Sequence, residues 1–364
     1  MIFREKPSST ATAMRTSPAP QVPSGRARAV RAAAFAAVVA MVCAVAVFGA
    51  VNLGAGRAGA AMTRGHATTG TAAAAAASRR DRSGLPWPSG AYLPDGTPAA
   101  ARAFGHWRRR PLDIVEVWLS QSTWATITDP AWLYRRWQGS PYTMAFSVPL
   151  LPDTPRATIR GCADGADNPH WRQFGRVIRS YGLGSSIIRL GWEFNGKWSR
   201  WAATNPTAWA QCWRQAVTAA RSTAPRLRWD WNVNRGVSSA LADPTRAYPG
   251  NRYVTMIGVD SYDWWPAVTT PGGWHQQLDG TQGLSYWLAF ARAHGKKLSV
   301  PEWGSRQYGR SAGGDDPRYI RDMRAFFTAS ARSLAFETIF QGTIGNYESG
   351  HTMPAAAHAY KTDF

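Results

Sequence analysis

Two glutamates stand out for their settings. Glu193 follows Ile187-Ile188-Arg189-Leu190-Gly191-Trp192 and precedes Phe194-Asn195-Gly196, while Glu302 follows Leu298-Ser299-Val300-Pro301 and precedes Trp303-Gly304. In both places a short apolar run ends on a carboxylate, with an aromatic residue and a glycine after it, as expected when a buried strand delivers a side chain to the rim of a pocket. Glutamate is scarce here: residues 85–364 hold only Glu116, Glu193, Glu302, Glu337 and Glu348. Two of these in matching contexts suit chemistry that needs one protonated and one ionised carboxyl group, such as cleavage of a glycosidic bond.

The neighbours suggest different jobs for the two. An acid needs a raised pKa, and Trp192, Phe194 and Trp198 offer Glu193 apolar surroundings. Arg189 lies four residues before Glu193, so strand alternation puts both on one face. It would either keep a nearby carboxylate ionised or pair with Glu193 for stability alone. Asp260, Tyr262 and Asp263 close the run from Gly258. Tyr262 would donate a hydrogen bond to the ionised carboxylate or stack on the rim. Asp230 and Asn232 would touch sugar hydroxyls or cap a loop. Of 19 tryptophans, Trp118, Trp124, Trp192, Trp198, Trp201, Trp264, Trp265, Trp274 and Trp303 fall at expected strand ends or in the loops after them. Any one could be core, but together they suit a groove for stacked pyranose rings.

These residues need a scaffold, and the chain alternates strand-like and helix-like segments from Leu85 onward. Strands are expected at Ala91–Leu93, Asp113–Leu119, Thr143–Val148, Ser186–Trp192, Arg228–Asn232, Val254–Asp260, Lys297–Pro301 and Thr338–Gln341. Helices are expected at Pro98–Trp107, Pro130–Trp137, His170–Tyr181, Pro206–Ser222, Gly283–His294 and Pro317–Ala329, four of them opening on proline, which suits a first turn. Between the fifth and sixth strands no long helix is expected. Eight such units in about 280 residues predict a (β/α)8 TIM barrel, an α/β fold, as one catalytic domain over 85–364. The glutamates are 109 residues apart, about three β/α units, which puts them at the ends of strands four and seven across one barrel mouth.

Arg189-Leu190-Gly191-Trp192-Glu193-Phe194-Asn195-Gly196-Lys197-Trp198, Gly258-Val259-Asp260-Ser261-Tyr262-Asp263 and Pro301-Glu302-Trp303-Gly304 together resemble glycoside hydrolase family 26, whose members include β-mannanases and related β-glycanases. The resemblance extends in organisation over roughly 90–357. It implies a retaining mechanism, with Glu193 matching the acid/base, Glu302 the nucleophile, Tyr262 the tyrosine that contacts the nucleophile and Trp198 a sugar-stacking tryptophan. Arg189, Trp192, Asn195, Asp260, Trp264 and Trp303 complete the expected substrate-binding set. Two departures bear on specificity. The family's β-mannanases commonly have histidine before the acid/base, where this chain has Trp192, and an indole donates but cannot accept a hydrogen bond. Strand eight is expected to end on a stacking tryptophan but reads Ile339-Phe340-Gln341-Gly342.

Before the barrel, Arg26, Arg28 and Arg31 precede an apolar stretch over 32–53, the pattern of a secretory signal or a membrane anchor. Ala58-Gly59-Ala60 fits a cleavage site, while Arg57 and the length of the run fit retention. The expected division is therefore a basic N-terminus with its signal or anchor at 1–60, a low-complexity linker at 61–84, and the barrel. The product would be secreted or held on the outer face of the membrane. The net charge is +20, but residues 1–84 carry 11 basic and 2 acidic side chains, leaving +11 for the rest, mostly as scattered arginine. Scattered charge does not imply a nucleic-acid partner. Cys162 and Cys212 would pair in an oxidising compartment, the alternative being two free thiols. The resulting expectation is an exported monomeric endo-β-glycanase acting on polysaccharide by double displacement with no cofactor or metal. A non-catalytic carbohydrate-binding barrel and a transglycosylase or hydrolase acting on the cell's own exopolysaccharide are the alternatives.

Overall fold

The computed structural model describes residues 83–93, 96–306, 309, 311–341 and 353–364, which fall in one compact unit. The apolar run at 32–53, its cleavage site, nearly all of the linker and Gly342 lie outside the described residues. In chain order the elements are β1 (Ser89–Tyr92), α1 (Pro98–Trp107), β2 (Ile114–Trp118), α2 (Trp124–Thr128), α3 (Ala131–Trp137), β3 (Thr143–Val148), α4 (Ile159–Ala163), α5 (Asn168–Ser180), β4 (Ile187–Leu190), α6 (Pro206–Arg221), β5 (Arg228–Asn234), β6 (Met256–Tyr262), α7 (Gly273–Asp279), α8 (Leu284–Ala293), β7 (Lys297–Gly304), α9 (Pro317–Ser330), β8 (Leu334–Phe340) and α10 (Pro354–Asp363).

All eight strands pair in parallel with their chain neighbours, and β1 pairs with β8 to close the barrel. The strands are buried on both faces, as a parallel sheet enclosed by helices requires. Helix starts are marked chemically. Thr97, Asn205 and Asp316 each accept a hydrogen bond from the first turn of α1, α6 and α9, and each is followed by proline at the first helical position.

Two cores result. Between barrel and helices lie fully buried indoles, among them Trp171, Trp209, Trp213, Trp229, Trp231 and Trp287. Inside the barrel the character changes along the axis. Ile114, Ala145, Ile187, Met256 and Phe336 plug the N-terminal end. Above them come buried Glu116, Ser147, Arg189, Asp230, Asn232, Asp260, Ser299 and Thr338. An interior that turns polar toward one end marks that end as the one prepared for chemistry.

Strand and helix placement agrees with expectation to within a few residues, except for β8, which starts at Leu334 rather than Thr338. The short helices α2, α4 and α7 and the alanine-rich α10 were not expected. The segment between β5 and β6 holds only a 3-10 turn at Pro244–Ala247. Cys162 on α4 is bonded to Cys212 on α6, which settles the cysteine alternative in favour of the disulfide.

Candidate active site

Glu193 and Glu302 both reach the C-terminal end of the barrel, and the chain uses a different device to aim each. β4 ends at Leu190, short of the expected Trp192. Gly191 then turns into the left-handed region at φ +56°, where an added Cβ would stand 2.9 Å from Leu150 Cβ. Glu193 itself follows at φ +51°. That conformation costs a non-glycine residue on the order of 1–2 kcal/mol. The Glu193 N–H bond to the Asn232 carbonyl at 3.1 Å helps hold it. Simple alternation from Arg189 therefore does not describe how Glu193 arrives.

Glu302 is aimed by a bulge. Gly258 pairs with Ser299 and Ser261 with Trp303, so β7 carries one residue more than β6 across that span. Pro301, which has no N–H for the ladder, lies in the bulge. The extra residue turns Glu302 inward and sends Trp303 out among Phe327, Tyr360 and Phe364 of the helix layer. Trp303 is fully buried there and donates its Nε1–H to Glu337 Oε2 at 2.6 Å. Its expected role as a substrate contact is thereby corrected.

The two carboxyl groups are held by different chemistry. Glu302 Oε1 accepts from Arg189 Nη2 at 2.9 Å and Oε2 from the Tyr262 hydroxyl at 2.7 Å. Glu193 Oε2 accepts from Trp198 Nε1 at 2.8 Å and Oε1 from Asn234 Nδ2 at 2.6 Å. One donor pair includes a full positive charge and the other is neutral. Gly196 makes the Trp198 contact possible, because a Cβ there would lie 2.1 Å from the folded-back indole.

Arg189 organises the floor. Beyond Glu302 it bonds Glu116, Ser147 Oγ at 2.8 Å, Asn232 Oδ1 at 2.9 Å and Asp260 Oδ2 at 2.8 Å. Burial alone would lower the guanidinium, yet Asp260, Glu116 and Glu302 carry its pKa well above the ordinary value. Arg189 thus bonds Glu302 and not Glu193, which agrees with its keeping a nearby carboxylate ionised and not with the alternative of a structural pair with Glu193. Asp260 Oδ1 accepts from Asn232 Nδ2 at 3.0 Å and from the Glu302 N–H at 3.2 Å.

Burial pushes both glutamates up. Glu302 rises to about 8, with Glu193 and Glu116 adding to burial while Arg189 and Tyr262 oppose it. Glu193 is also raised by burial, against Asn234, Arg189, Trp198 and Arg306. The upward push that Glu193 exerts on Glu302 exists only while Glu193 is charged. A single proton on Glu193 therefore removes that push, although burial and Glu116 still raise Glu302 against Arg189 and Tyr262.

The expected substrate-binding residues divide in two. Trp192, Trp198, Tyr262 and Trp264 stand at the barrel end with the glutamates, Trp192 packing between Trp118 and Trp201. Arg189, Asn195 and Asp260 are enclosed and act on the protein. Asn195 clamps the Asn234 backbone with bonds of 2.8 and 2.9 Å, which holds the amide that meets Glu193. Asp230 and Asn232 are also fully buried beneath the site, so neither meets a sugar. Of the tryptophans expected in a groove, Trp201 is core and Trp124 stacks on His170 of α5. Phe340, at the end of β8, packs against Tyr92, Trp118 and Tyr262. Sequence reasoning missed Asn234, Glu116 and Arg306. Asn234 was readable as the third member of the alternating series Asp230, Asn232, Asn234. A cavity of about 850 Å3 lies at the opposite end, lined by Ile114, Thr143, Ile187, Arg228 and Lys297 at the strand starts.

The family model for glycosyl hydrolase family 26 matches residues 185–301, which contain Glu193 and stop one residue before Glu302. Endoglucanase H of Acetivibrio thermocellus is 24% identical over 238 residues, 62% of this chain. The match spans 24% of that protein's length, so the chain corresponds to about a quarter of it. Among solved structures, a modular endo-β-1,4-mannanase from Cellulomonas fimi superposes with a TM-score of 0.53 at 14% identity, covering 71% of this chain and 65% of that one. The catalytic domain of a family 26 endo-β-1,4-mannanase from Bacillus sp. JAMB-750 gives 0.53 at 14% identity, covering 77% and 87%. At such identities these structures speak to the fold. The closed barrel, the matched segment and the two glutamates at its C-terminal end make the chain similar to glycosyl hydrolase family 26 over residues 185–301.

Proposed function

We propose that the chain is an exported, retaining endo-β-glycanase with Glu193 as acid/base and Glu302 as nucleophile. The observation that carries this reading is the unequal support of two buried carboxyls at one barrel end. Glu302 accepts from a guanidinium and a phenol, which suits the anion, and Glu193 from an indole and an amide, which leave it the proton.

In the first step protonated Glu193 gives its proton to the departing glycosidic oxygen while Glu302 attacks the anomeric carbon. The bond to the leaving sugar breaks and a covalent bond to Glu302 forms. In the second step ionised Glu193 takes a proton from water, whose oxygen displaces Glu302 and restores the starting charge. Arg189 and Tyr262 steady the Glu302 carboxylate before attack and after release. Trp198 and Asn234 hold Glu193 in one orientation through both proton transfers.

The substrate is a β-linked polysaccharide, mannan-like or a related β-glycan, in keeping with the names of the relatives. Trp192 in place of histidine removes a hydrogen-bond acceptor beside the acid/base. Export is supported by the apolar run at 32–53 after three arginines and by the disulfide, which suits an oxidising compartment. Reducing-end release should be screened on mannan, xylan, mixed-linkage glucan and bacterial exopolysaccharides. Proton NMR of the first product should then show the β-anomer, and an α-anomer would overturn the retaining mechanism. Mass spectrometry of the mature protein reads whether the N-terminal run is removed.

A further inference from the structure

Arginines that are scattered along the chain are gathered by the fold. Every strand is parallel, so the connections leading into the strand starts share one end of the barrel, opposite the glutamates. Residues 108–113, 138–142, 181–186, 221–228, 248–255, 294–297 and 331–333 form that end, and Asp113 is the one acidic residue among them. Arg110, Arg226, Arg252 and Lys297 are exposed there, with Arg228 and Lys296 half-buried beside them. Four of these, Arg228, Arg252, Lys296 and Lys297, line the cavity of about 850 Å3.

Among the described residues no salt bridge answers this charge. Arg110 donates to the Ser83 carbonyl at 3.2 Å, Arg228 to that of Ser185 at 3.0 Å and Lys296 to that of Asn251 at 2.9 Å, all neutral partners. Asp113 is already engaged by the Ser83 and Ser89 N–H groups at 3.2 and 3.0 Å and by the Ser83 hydroxyl at 2.5 Å. The cations press on one another: after burial, Arg221 lowers the Lys296 pKa and Arg252 that of Arg221. The chain also enters the barrel here, since Ser83 is held by Asp113 and Arg110. In sequence Arg79, Arg80 and Arg82 come just before it, and residues 54–82 separate it from the apolar run at 32–53. A fully extended chain of that length spans about 100 Å, ample for the barrel to lie on the surface its leader enters.

We propose that this end of the barrel is a docking face for anionic lipid, which lays the enzyme on the outer face of the membrane with the barrel mouth turned outward. The proposal rests on the reading of the 32–53 run as a retained anchor, because the chain leaves the barrel toward that run from the basic end. Clustered lysine and arginine next to a tether are drawn to a negatively charged bilayer. The catalytic end is of mixed sign, with Asp153 and Asp315 near Lys197 and Arg200, so an anionic surface favours the basic end beneath.

The lysines supply the test. Lys6, Lys197, Lys296, Lys297 and Lys361 are the full set, and two exposed ones mark the two ends, Lys197 by the mouth and Lys297 on the docking face. The full chain is reconstituted in phosphatidylcholine vesicles with or without about 30 mol% phosphatidylglycerol, and acetylation by a water-soluble reagent is followed at each lysine by mass spectrometry. Anionic lipid should slow Lys297 about fivefold relative to Lys197, and salt at about 0.5 M should remove the slowing. Joint replacement of Arg110, Arg226 and Arg252 by glutamine should reduce it to about twofold or less, while the same change at Arg102, Arg172 and Arg321, exposed on α1, α5 and α9, should leave it intact. The proposal is overturned if Lys297 reacts alike in both vesicles, if Lys197 slows as much, if salt leaves the slowing in place, or if both triple variants behave alike. Slowing by soluble polyphosphate but not by anionic lipid would give the face to a free polyanion and overturn it too. Flotation with neutral vesicles reads the anchor alone: a chain that does not float fails the retention reading, and Lys297 with anionic vesicles added still decides the face.

Discussion

Replacing Tyr262 with phenylalanine deletes one oxygen and one hydrogen bond, and its consequences can be followed to a number. The hydroxyl donates to Glu302 Oε2 at 2.7 Å, while Arg189 holds Oε1. Burial and the neighbouring Glu302 carry the Tyr262 pKa well above its ordinary value, so it is a donor at any working pH. Phenylalanine keeps the edge-on contact with Phe340, whose ring centroid is 5.9 Å away. What is lost is a hydrogen bond to a charged acceptor, about 1.5–3 kcal/mol. On the rate scale that is about one to two powers of ten in kcat/KM, and Arg189 keeps the loss from being total. The sign on pH follows from the same bond. A donor removed from the anion raises the Glu302 pKa further, so the acid limb of the kcat/KM profile moves to higher pH by about 1–2 units. Initial rates on an aryl β-glycoside from pH 4 to 9, with thermal melts to check the fold, read both effects. A variant with kcat/KM within about twofold of wild type and an unmoved acid limb would refute the reasoning and leave Tyr262 as rim packing.

Three further outcomes concern stability. Arg189→Met leaves Glu116, Asp260 and Glu302 buried around a lost cation and should cost about 3–5 kcal/mol in urea unfolding at pH 7, with a smaller deficit at low pH where those carboxylates take protons. Glu337 is buried with its pKa raised from 4.5 to about 7, so its contribution is complete below about 4.5 and is lost as pH rises through about 7. The change across that window is about 3 kcal/mol, and Glu337→Gln should flatten the stability profile there; an unchanged slope would contradict the assignment. Reducing the Cys162–Cys212 bond, which spans a separation of 50 residues, should lower unfolding free energy by up to about 4 kcal/mol, read as a drop in Tm with dithiothreitol.

The barrel was legible because its strands are short segments rich in β-branched and aromatic residues, separated by helices several of which open on proline, and because 109 residues is close to a whole number of units. The site was legible in its carboxylates and Tyr262 but not in its wiring. Strand alternation put Arg189 and Glu193 on one face and left open which carboxylate Arg189 would meet. Positive φ at Gly191 and Glu193 broke that alternation, and the carboxylate that Arg189 meets is Glu302. Likewise Trp303 sits beside the nucleophile in sequence and faces the helices in space, because a one-residue bulge reverses the order of faces in β7. Asn234 was hidden by an expected strand two residues too short, and Glu116 by its placement on β2, far in sequence from the arginine it meets. Helix α10 escaped because an alanine-rich stretch carries little amphipathic pattern.

Glu302→Ala incubated with azide on a cleavable β-glycan tests the assignment most directly. With Glu302 as the nucleophile, the variant is inactive alone, and azide enters the vacated position to release an α-glycosyl azide, inverted relative to the substrate. Full hydrolysis by the variant without azide, with the β-anomer as first product, would contradict it.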